Sequence, residues 1–491
     1  MEIPKEIKEI IRIIESNKFE AYIVGGCVRD FLRKKNPQDW DAATNARPEQ
    51  IQKIFEKKGF DVFCENKFGT VGIVLPEDKD RNYYNIVEIT TYRTEAKYIN
   101  KRHPSEVKWA KSIEEDLARR DFTVNAMAMK VNDKEIEIID PFGGQADLSA
   151  KIIKAVGDPN IRFFEDSLRM MRGVRLATTL NFRIEDITKE SIQENALWIK
   201  EISQERIRDE FLKIIMCPRA ADGIELLRTL GLLGIILPEL DEGCGVAQNK
   251  HHIYDCYKHN LLSLDYATKN DFSMHVRIAA LLHDVAKPRV KEGEGSESTF
   301  YNHEIVGAKM TQKILERLKF SRKDIIKIVK LVRYHLFYYN VGEVSESSIR
   351  RLVRQVGIEN IDELLQVRMC DRIGSGVSKA EPYKLRHLRY LIDKVSQDPI
   401  SVKMLKIGGN DLMKSLDIKP GPRIGWILNI ILSYVLLDPL NNNKDFLEAE
   451  ARRLNSLSDK ELGLLNIHAK EELDGIETKR DETVKKKYWV T

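Results

Sequence analysis

Two carboxylates separated by one residue, Asp39 and Asp41, follow a Gly25-Gly26 pair. On a strand, residues i and i+2 face the same side, so both carboxylates would converge. Converging carboxylates repel unless a cation lies between them, and hard oxygen ligands suit Mg²⁺. The glycines end the apolar run AYIV and open a helical stretch. There, backbone amides can approach a phosphate, which the helix N-terminus favours, and Arg29 would add a bidentate contact. Alone, a Gly-Gly pair is an ordinary tight turn and Asp-x-Asp an ordinary solvated turn. Their combination is more specific than either part. Glu88, in the run VEI, is either a third carboxylate or a surface strand residue.

A second group lies between Arg162 and Arg175. Asp166, Arg169, Arg172 and Arg175 are spaced by three. On one helix that spacing makes Asp166 and Arg169 neighbours, with Arg172 and Arg175 extending a cationic ladder. Cytosine and adenine both present an exocyclic amine beside a ring-nitrogen acceptor. A carboxylate accepts from the amine and a guanidinium donates to the ring nitrogen, whereas guanine and uracil present the opposite pattern. An Asp–Arg pair can therefore select C and A without a nucleic-acid template. The alternative is an ordinary surface salt bridge.

The elements that position these residues change along the chain. The first 145 residues hold the β-like runs AYIVGG, VGIVL, NIVEITTY and EIEIID, with a helical pattern at Pro48–Lys58. This predicts a mixed sheet with helices, ended by the turn Asp140–Gly144. From about 150 onward strand signals nearly vanish and apolar residues recur at helical spacing. The 491 residues suggest roughly three domains. The fold class is multidomain α+β, divided into a head (1–150), an all-α neck (151–240), a helical body (241–380) and a helical tail (381–491). The segment Ile424–Leu437 is short for a membrane span and contains Asn429, so it reads as a buried core helix. The amphipathic N-terminus is no signal peptide, and six scattered cysteines read as reduced thiols. A cytoplasmic protein with no membrane partner is expected. The net charge of +4 gives no hint of nucleic acid. The charge run 477–487 is expected to be solvated or frayed.

The Gly-Gly turn followed by Asp-x-Asp resembles the polymerase-β-type nucleotidyltransferases. In these, two aspartates hold Mg²⁺ for in-line attack of a hydroxyl on an α-phosphate. The run Glu114-Glu115-Asp116-Leu117-Ala118-Arg119-Arg120-Asp121-Phe122-Thr123-Val124-Asn125-Ala126 resembles a motif of class II tRNA nucleotidyltransferases and bacterial poly(A) polymerases. The resemblance implies that Arg120 and Asp121 contact triphosphate and ribose. Thr91–Glu95 through Arg102-His103-Pro104 resembles the family's flexible loop, whose presence disfavours a CC-only enzyme. Glu165-Asp166-Ser167-Leu168-Arg169 matches the family's base-reading motif, with Arg172 and Arg175 then serving the triphosphate. Gln204–Phe211 resembles the next neck motif, with arginines that brace the helix, and Leu226–Leu240 resembles the neck-to-body junction. Trp40 departs from the pattern, where an aliphatic residue is usual.

Seven of the ten histidines fall between 251 and 335. His259, His283, Asp284, His303, His335 and Asp371 occur in an order that resembles an HD-type phosphohydrolase domain, and Lys287-Pro288 follows as in that superfamily. Mixed imidazole and carboxylate ligands without thiolates suit Mn²⁺, Ni²⁺, Fe²⁺ or Mg²⁺, and a metal-bound water would attack a phosphoester. The alternative is a metal-binding or RNA-docking scaffold. His251 and His252 match the related HHxYDxxxH pattern, and Gly409–Gly425 resembles the tail of longer bacterial members, which would dock tRNA.

The expected function is template-independent addition of CMP and AMP to tRNA 3′ ends from CTP and ATP. Asp39 and Asp41 would bind Mg²⁺, Gly25, Gly26, Arg29 and Arg120 would hold the triphosphate, and the HD domain would trim 2′,3′-cyclic or 3′-phosphates. Two alternatives stay open. One is an A-adding enzyme or poly(A) polymerase built of the same parts, against the second of which the full HD ligand set speaks. The other is a metal-dependent phosphohydrolase with an RNA-binding head.

Overall fold

The computed structural model describes residues 2–490 apart from 65–68, 77, 79–82, 100–102, 132–134, 250–252 and 397–401. His251 and His252 therefore lie outside the described residues. The chain forms two compact units, residues 1–336 with 366–378, and residues 337–365 with 379–491.

The first unit begins with the helix Lys5–Ser16, whose isoleucines at 7, 10, 11 and 14 recur at helical spacing and are buried. It covers one face of a seven-stranded sheet. The strands are β1 (Ala21–Val24), β2 (Trp40–Thr44), β3 (Asp61–Cys64), β4 (Thr70–Val74), β5 (Ile86–Thr91), β8 (Ala128–Val131) and β9 (Ile136–Ile139), in the order β3-β4-β5-β2-β1-β8-β9. Strands β2 and β5 are parallel and pair Asp41 with Glu88. Trp40 and Ala42 enter the core with Ile23, Ile51, Phe55, Ile73 and Ile89. The pleat therefore turns Asp41 away from that core. Strands β6 (Arg93–Ile99) and β7 (His103–Trp109) form a separate antiparallel pair, so most of the segment resembling a flexible loop is a hairpin.

Beyond residue 158 the described residues of the unit are helical apart from the short strand Arg183–Ile184, which pairs with Ile152–Ile153. The expected single helix bearing Asp166 to Arg175 is instead two helices, Pro159–Glu165 and Leu168–Leu180. Asp166 sits at the break with φ −147° and ψ 102°, and its Oδ1 accepts from the amide of Leu168 at 3.2 Å. A short polar side chain competing for backbone donors is a known way to interrupt a helix.

In the second unit the helix Pro422–Leu437 buries Ile424, Ile427, Leu428, Ile430 and Ile431 against the Lys444–Asn455 and Asp459–Tyr488 helices. Its Asn429 donates to Asn466 Oδ1 at 3.0 Å, which satisfies the polar group inside that core. The charge run 477–487 is the last part of the Asp459–Tyr488 helix, capped by Ser458. Lys487 pairs with Asp393 at 2.7 Å and Tyr390 bonds Asp481, so this segment is not frayed. Among the described residues no helix is long and apolar enough to cross a membrane.

Candidate active site and candidate metal centre

A cavity of about 440 Å³ opens over the edge of β1, β2 and β5. It brings together Gly25, Gly26, Asp41, Arg120, Asp121, Asp166, Arg169 and Arg172, eight of the residues expected from sequence. Glu88 joins them, directly across from Asp41. Paired strand residues point to the same side, so these two carboxylates form the convergent pair. Asp39 precedes the first residue of β2 and, among the described residues, does not line the cavity. Burial raises its carboxyl pKa against the opposing pull of Lys213.

Gly25 has φ +85°, and a Cβ there would lie 2.9 Å from Arg120 Nη1. Only glycine combines that backbone with that approach. Arg120 in turn is held by Asp116, whose Oδ2 lies 3.3 Å from its Nη2, while Oδ1 accepts from Arg119 Nη2 at 2.9 Å. Burial alone would raise the pKa of Asp116, but Arg119 and Arg120 outweigh it and hold the carboxyl below its usual range. One buried carboxylate thus sets two guanidiniums at the cavity wall.

Two of the expected arginines turn elsewhere. Arg29 bonds Asp30 at 2.7 Å and Asn125 Oδ1 at 2.7 Å, so it supports the cavity through Asn125, which lines it. Arg175 pairs with the buried Glu210 at 2.7 Å and braces the Gln204–Met216 helix. The Asp166–Arg169 pair is also not a direct bridge. Arg206 donates to both oxygens of Asp166, at 2.7 and 3.2 Å. Arg169 donates to Glu165 Oε2 at 2.6 Å and to the carbonyls of Arg162 and Arg119 at 3.3 and 3.2 Å. Each member of the pair is thus fixed by its own partner, and both remain on the cavity wall. Sequence reasoning missed Thr70, Thr90, Arg93, Arg119 and Asn125, which also line it. Thr90 was findable, since it lies two residues after Glu88 on the same strand.

Arg172 lies 2.8 Å from Asp121 Oδ2. Burial raises the pKa of Asp121, yet Arg172 and Arg169 outweigh it and the net shift is downward. A depressed folded pKa contributes stability above the unfolded value, about 3.9, that is lost as pH falls through the folded value. Acid unfolding followed by circular dichroism is therefore expected to involve this pair below pH about 4. Arg172→Met should shift the acid transition to higher pH. At neutral pH it should cost about 2 kcal/mol, less than for a fully buried pair because Arg172 is half-exposed.

A second cluster forms within the helical part of the same unit. The expected ligands His259, His283, Asp284, His303, His335 and Asp371 converge in two groups: His259, His283, Asp284 and Asp371, and Asp284, His303 and His335. Asp284 belongs to both. His259 Nε2 lies 3.0 Å from Asp284 Oδ2 and 2.9 Å from His283 Nε2, and His303 Nε2 lies 3.3 Å from Asp284 Oδ1. Three imidazoles are keyed by main-chain carbonyls. Nδ1 of His283, His303 and His335 lies 2.8, 2.7 and 2.7 Å from the carbonyls of Ala280, Phe300 and Val332. Those bonds make Nδ1 the donor and turn each Nε2 toward Asp284. Gly374 permits the close packing that brings Asp371 in, because a Cβ there would lie 2.7 Å from the carbonyl of His259.

Burial opposes ionisation of Asp284, but His283 and Lys287 hold it well below the usual range. His283 is pushed up to about 10, burial being outweighed by Asp284 and Asp371. His335 is pushed down to about 3 by burial and by His283. Ionised carboxylates, the neutral His335 imidazole and Nε2 atoms turned inward fit a divalent cation. A proton on His283 occupies the place of that charge, so metal binding here competes with protonation.

Residues 21–154 match the poly A polymerase head domain, 181–244 the probable RNA and SrmB-binding site of polymerase A, and 300–451 a tRNA nucleotidyltransferase domain 2. The chain is 31% identical to an A-adding tRNA nucleotidyltransferase of Deinococcus radiodurans, covering 84% of this chain and 90% of that one. It is 33% identical to a CCA-adding enzyme of Enterococcus faecalis, covering 93% and 98%. The crystal structure of the Bacillus stearothermophilus CCA-adding enzyme in complex with CTP superposes with TM-score 0.58 and 26% identity over 93% of this chain and 98% of that one. With the sheet-edge carboxylates, the arginine wall and near full-length similarity in agreement, the chain belongs to the tRNA nucleotidyltransferase family that includes CCA-adding and A-adding enzymes.

Proposed function

We propose that this protein completes tRNA 3′ ends by adding CMP and then AMP from CTP and ATP. The observation that carries the reading is one cavity lined by Asp41 and Glu88, by Arg120 and Arg172, and by Asp166 and Arg169. Asp41 with Asp39, supplemented by Glu88, would hold Mg²⁺, whose chemistry is to activate the terminal hydroxyl and offset charge at the α-phosphate. Arg120 and Arg172 bind the triphosphate. Gly25 and Gly26 let it approach the main chain, and Arg29 fixes Asn125 beside it. Asp166 accepts the exocyclic amine of C or A, and Arg169 donates to the adjacent ring nitrogen. Because Arg206 and Glu165 hold these two side chains, the base is read by a fixed donor–acceptor pattern.

Transcribed tRNA lacking CCA, supplied with CTP alone, ATP alone or both, tests the reading. Two C residues followed by A are expected. Addition of A only to tRNA already ending in CC would instead make this an A-adding enzyme, the activity named for the Deinococcus relative. Asp166→Ala is expected to relax the choice of C and A over U and G by about tenfold, for the loss of one of the two contacts to the base edge, while Mg²⁺-dependent transfer persists. Unchanged discrimination would remove Asp166 from base reading.

The histidine–aspartate cluster supports a second activity, metal-dependent hydrolysis of 2′,3′-cyclic phosphates or terminal 3′-phosphates. His259, His283, Asp284, His303, His335 and Asp371 would hold the metal, Mn²⁺, Ni²⁺, Fe²⁺ or Mg²⁺, whose bound water would be the nucleophile. Lys287, 2.7 Å from Asp284 Oδ2, keeps that carboxylate ionised.

A further inference from the structure

The sheet face that carries Asp41 and Glu88 extends beyond the cavity. Asp41 pairs with Glu88, Glu88 with Gly72 and Gly72 with Phe63, so one row crosses β2, β5, β4 and the edge strand β3. Val62 packs on the core beneath the sheet, and the pleat therefore turns Phe63 to the carboxylate side. A Cβ at Gly72 would lie 2.7 Å from Cε1 of Phe63, so the aromatic ring lies over Gly72, one strand from Glu88. Ile86 stands two residues before Glu88 on β5 and shares its face. Phe63 and Ile86 are 39% and 43% exposed. A lone exposed apolar residue is ordinary on a protein surface, but these two flank a carboxylate of the reaction cavity.

In-line transfer decides which substrate meets this face. The attacking hydroxyl and the departing pyrophosphate lie on opposite sides of the α-phosphate. Arg120 stands over Gly25, which follows β1, so the triphosphate occupies the β1 side of Asp41. The hydroxyl then approaches from the β5 side, and the nucleoside that bears it lies over β5, β4 and β3. Unpaired bases stack on aromatic rings with little regard to sequence. That tolerance suits a seat whose terminal base changes as the RNA end grows.

We propose that Phe63 positions the primer: its ring stacks the 3′-terminal base of the acceptor RNA, with Ile86 beside it, while the ribose hydroxyl of that nucleotide reaches Asp41 and Glu88. The proposal rests on the nucleotidyl-transfer reading above and adds to it the seat of the second substrate.

A double-mutant cycle on the full-length chain tests this. The primers are tRNA lacking CCA or ending in CC, whichever the wild type extends, and the same tRNA with an abasic ribonucleotide at its 3′ end. Phe63→Ala should lower kcat/KM for the intact end about tenfold, the worth of one base stacked on an aromatic ring, and leave KM for the incoming nucleotide unchanged. The abasic end should lower the wild-type value similarly, and the two changes together should cost no more than either alone. Phe63→Tyr should match wild type. Phe63→Leu, which keeps an apolar cover on Gly72, should resemble Phe63→Ala. An aromatic ring that merely shields a sheet glycine gives a different pattern: Phe63→Leu retains activity, and Phe63→Ala impairs both ends equally. That pattern, or full activity in Phe63→Ala, would overturn the stacking seat and leave nucleotidyl transfer standing. A wild-type chain that extends neither tRNA would overturn the transfer reading, and the seat with it.

Discussion

Asp41→Asn is expected to lower CMP incorporation into tRNA lacking CCA by about a thousandfold or more, with the fold intact. Metal-ion stabilisation of transition-state charge is worth several kcal/mol, and each 1.36 kcal/mol is about tenfold in rate. Asn keeps the shape of Asp41 and removes the charge that makes it a ligand. The strand survives because Trp40 and Ala42 on the opposite face fill the core, and β2 remains paired with β1 and β5. A thermal transition close to wild type would show that the loss is chemical. Incorporation at wild-type rate would exclude Asp41 from the metal site.

The second large effect is expected at Asp284. Both ligand groups share its carboxylate, so Asp284→Asn should strip bound metal to about a tenth or less and reduce cyclic-phosphate hydrolysis to background. CMP incorporation should continue, because the cavity over this cluster shares no lining residue with that over Asp41. His303→Ala provides the contrast. His303 belongs to only one group, so metal held by His259, His283, Asp284 and Asp371 should persist. Metal per chain after dialysis, read beside tRNA end-labelling, separates these outcomes. Equal losses in both variants would mean that the ligands act as a single set.

Sequence showed most of what strand and helix periodicity can encode. The run before Gly25 was visible as a continuous apolar stretch, which is buried along its whole length, and the run around Glu88 by its alternation. The helix Pro422–Leu437 was visible as an apolar run too short for a membrane. What escaped depended on partners distant in the chain. Arg29 turns to Asn125, 96 residues away, and Arg175 to Glu210, 35 residues away. Nothing in a spacing of three announces either. The same spacing continues unaltered across the break at Asp166, so one helix was expected where two are present. The run 477–487 was read as solvated or frayed because its charges are dense, and much of it is exposed. Its order comes from pairing with Asp393 and Tyr390 on another helix.

The keying of His283, His303 and His335 by main-chain carbonyls has a consequence for how the centre can change. A tautomer set by a side-chain carboxylate is exposed to any substitution at that position. Here the setting atoms belong to Ala280, Phe300 and Val332, and every amino acid supplies the same carbonyl. The flanking sequence can therefore drift freely without retuning the cage. Extinguishing the centre would require replacing a ligand itself, so descendants of this chain should divide into those with a complete set and those visibly missing a member.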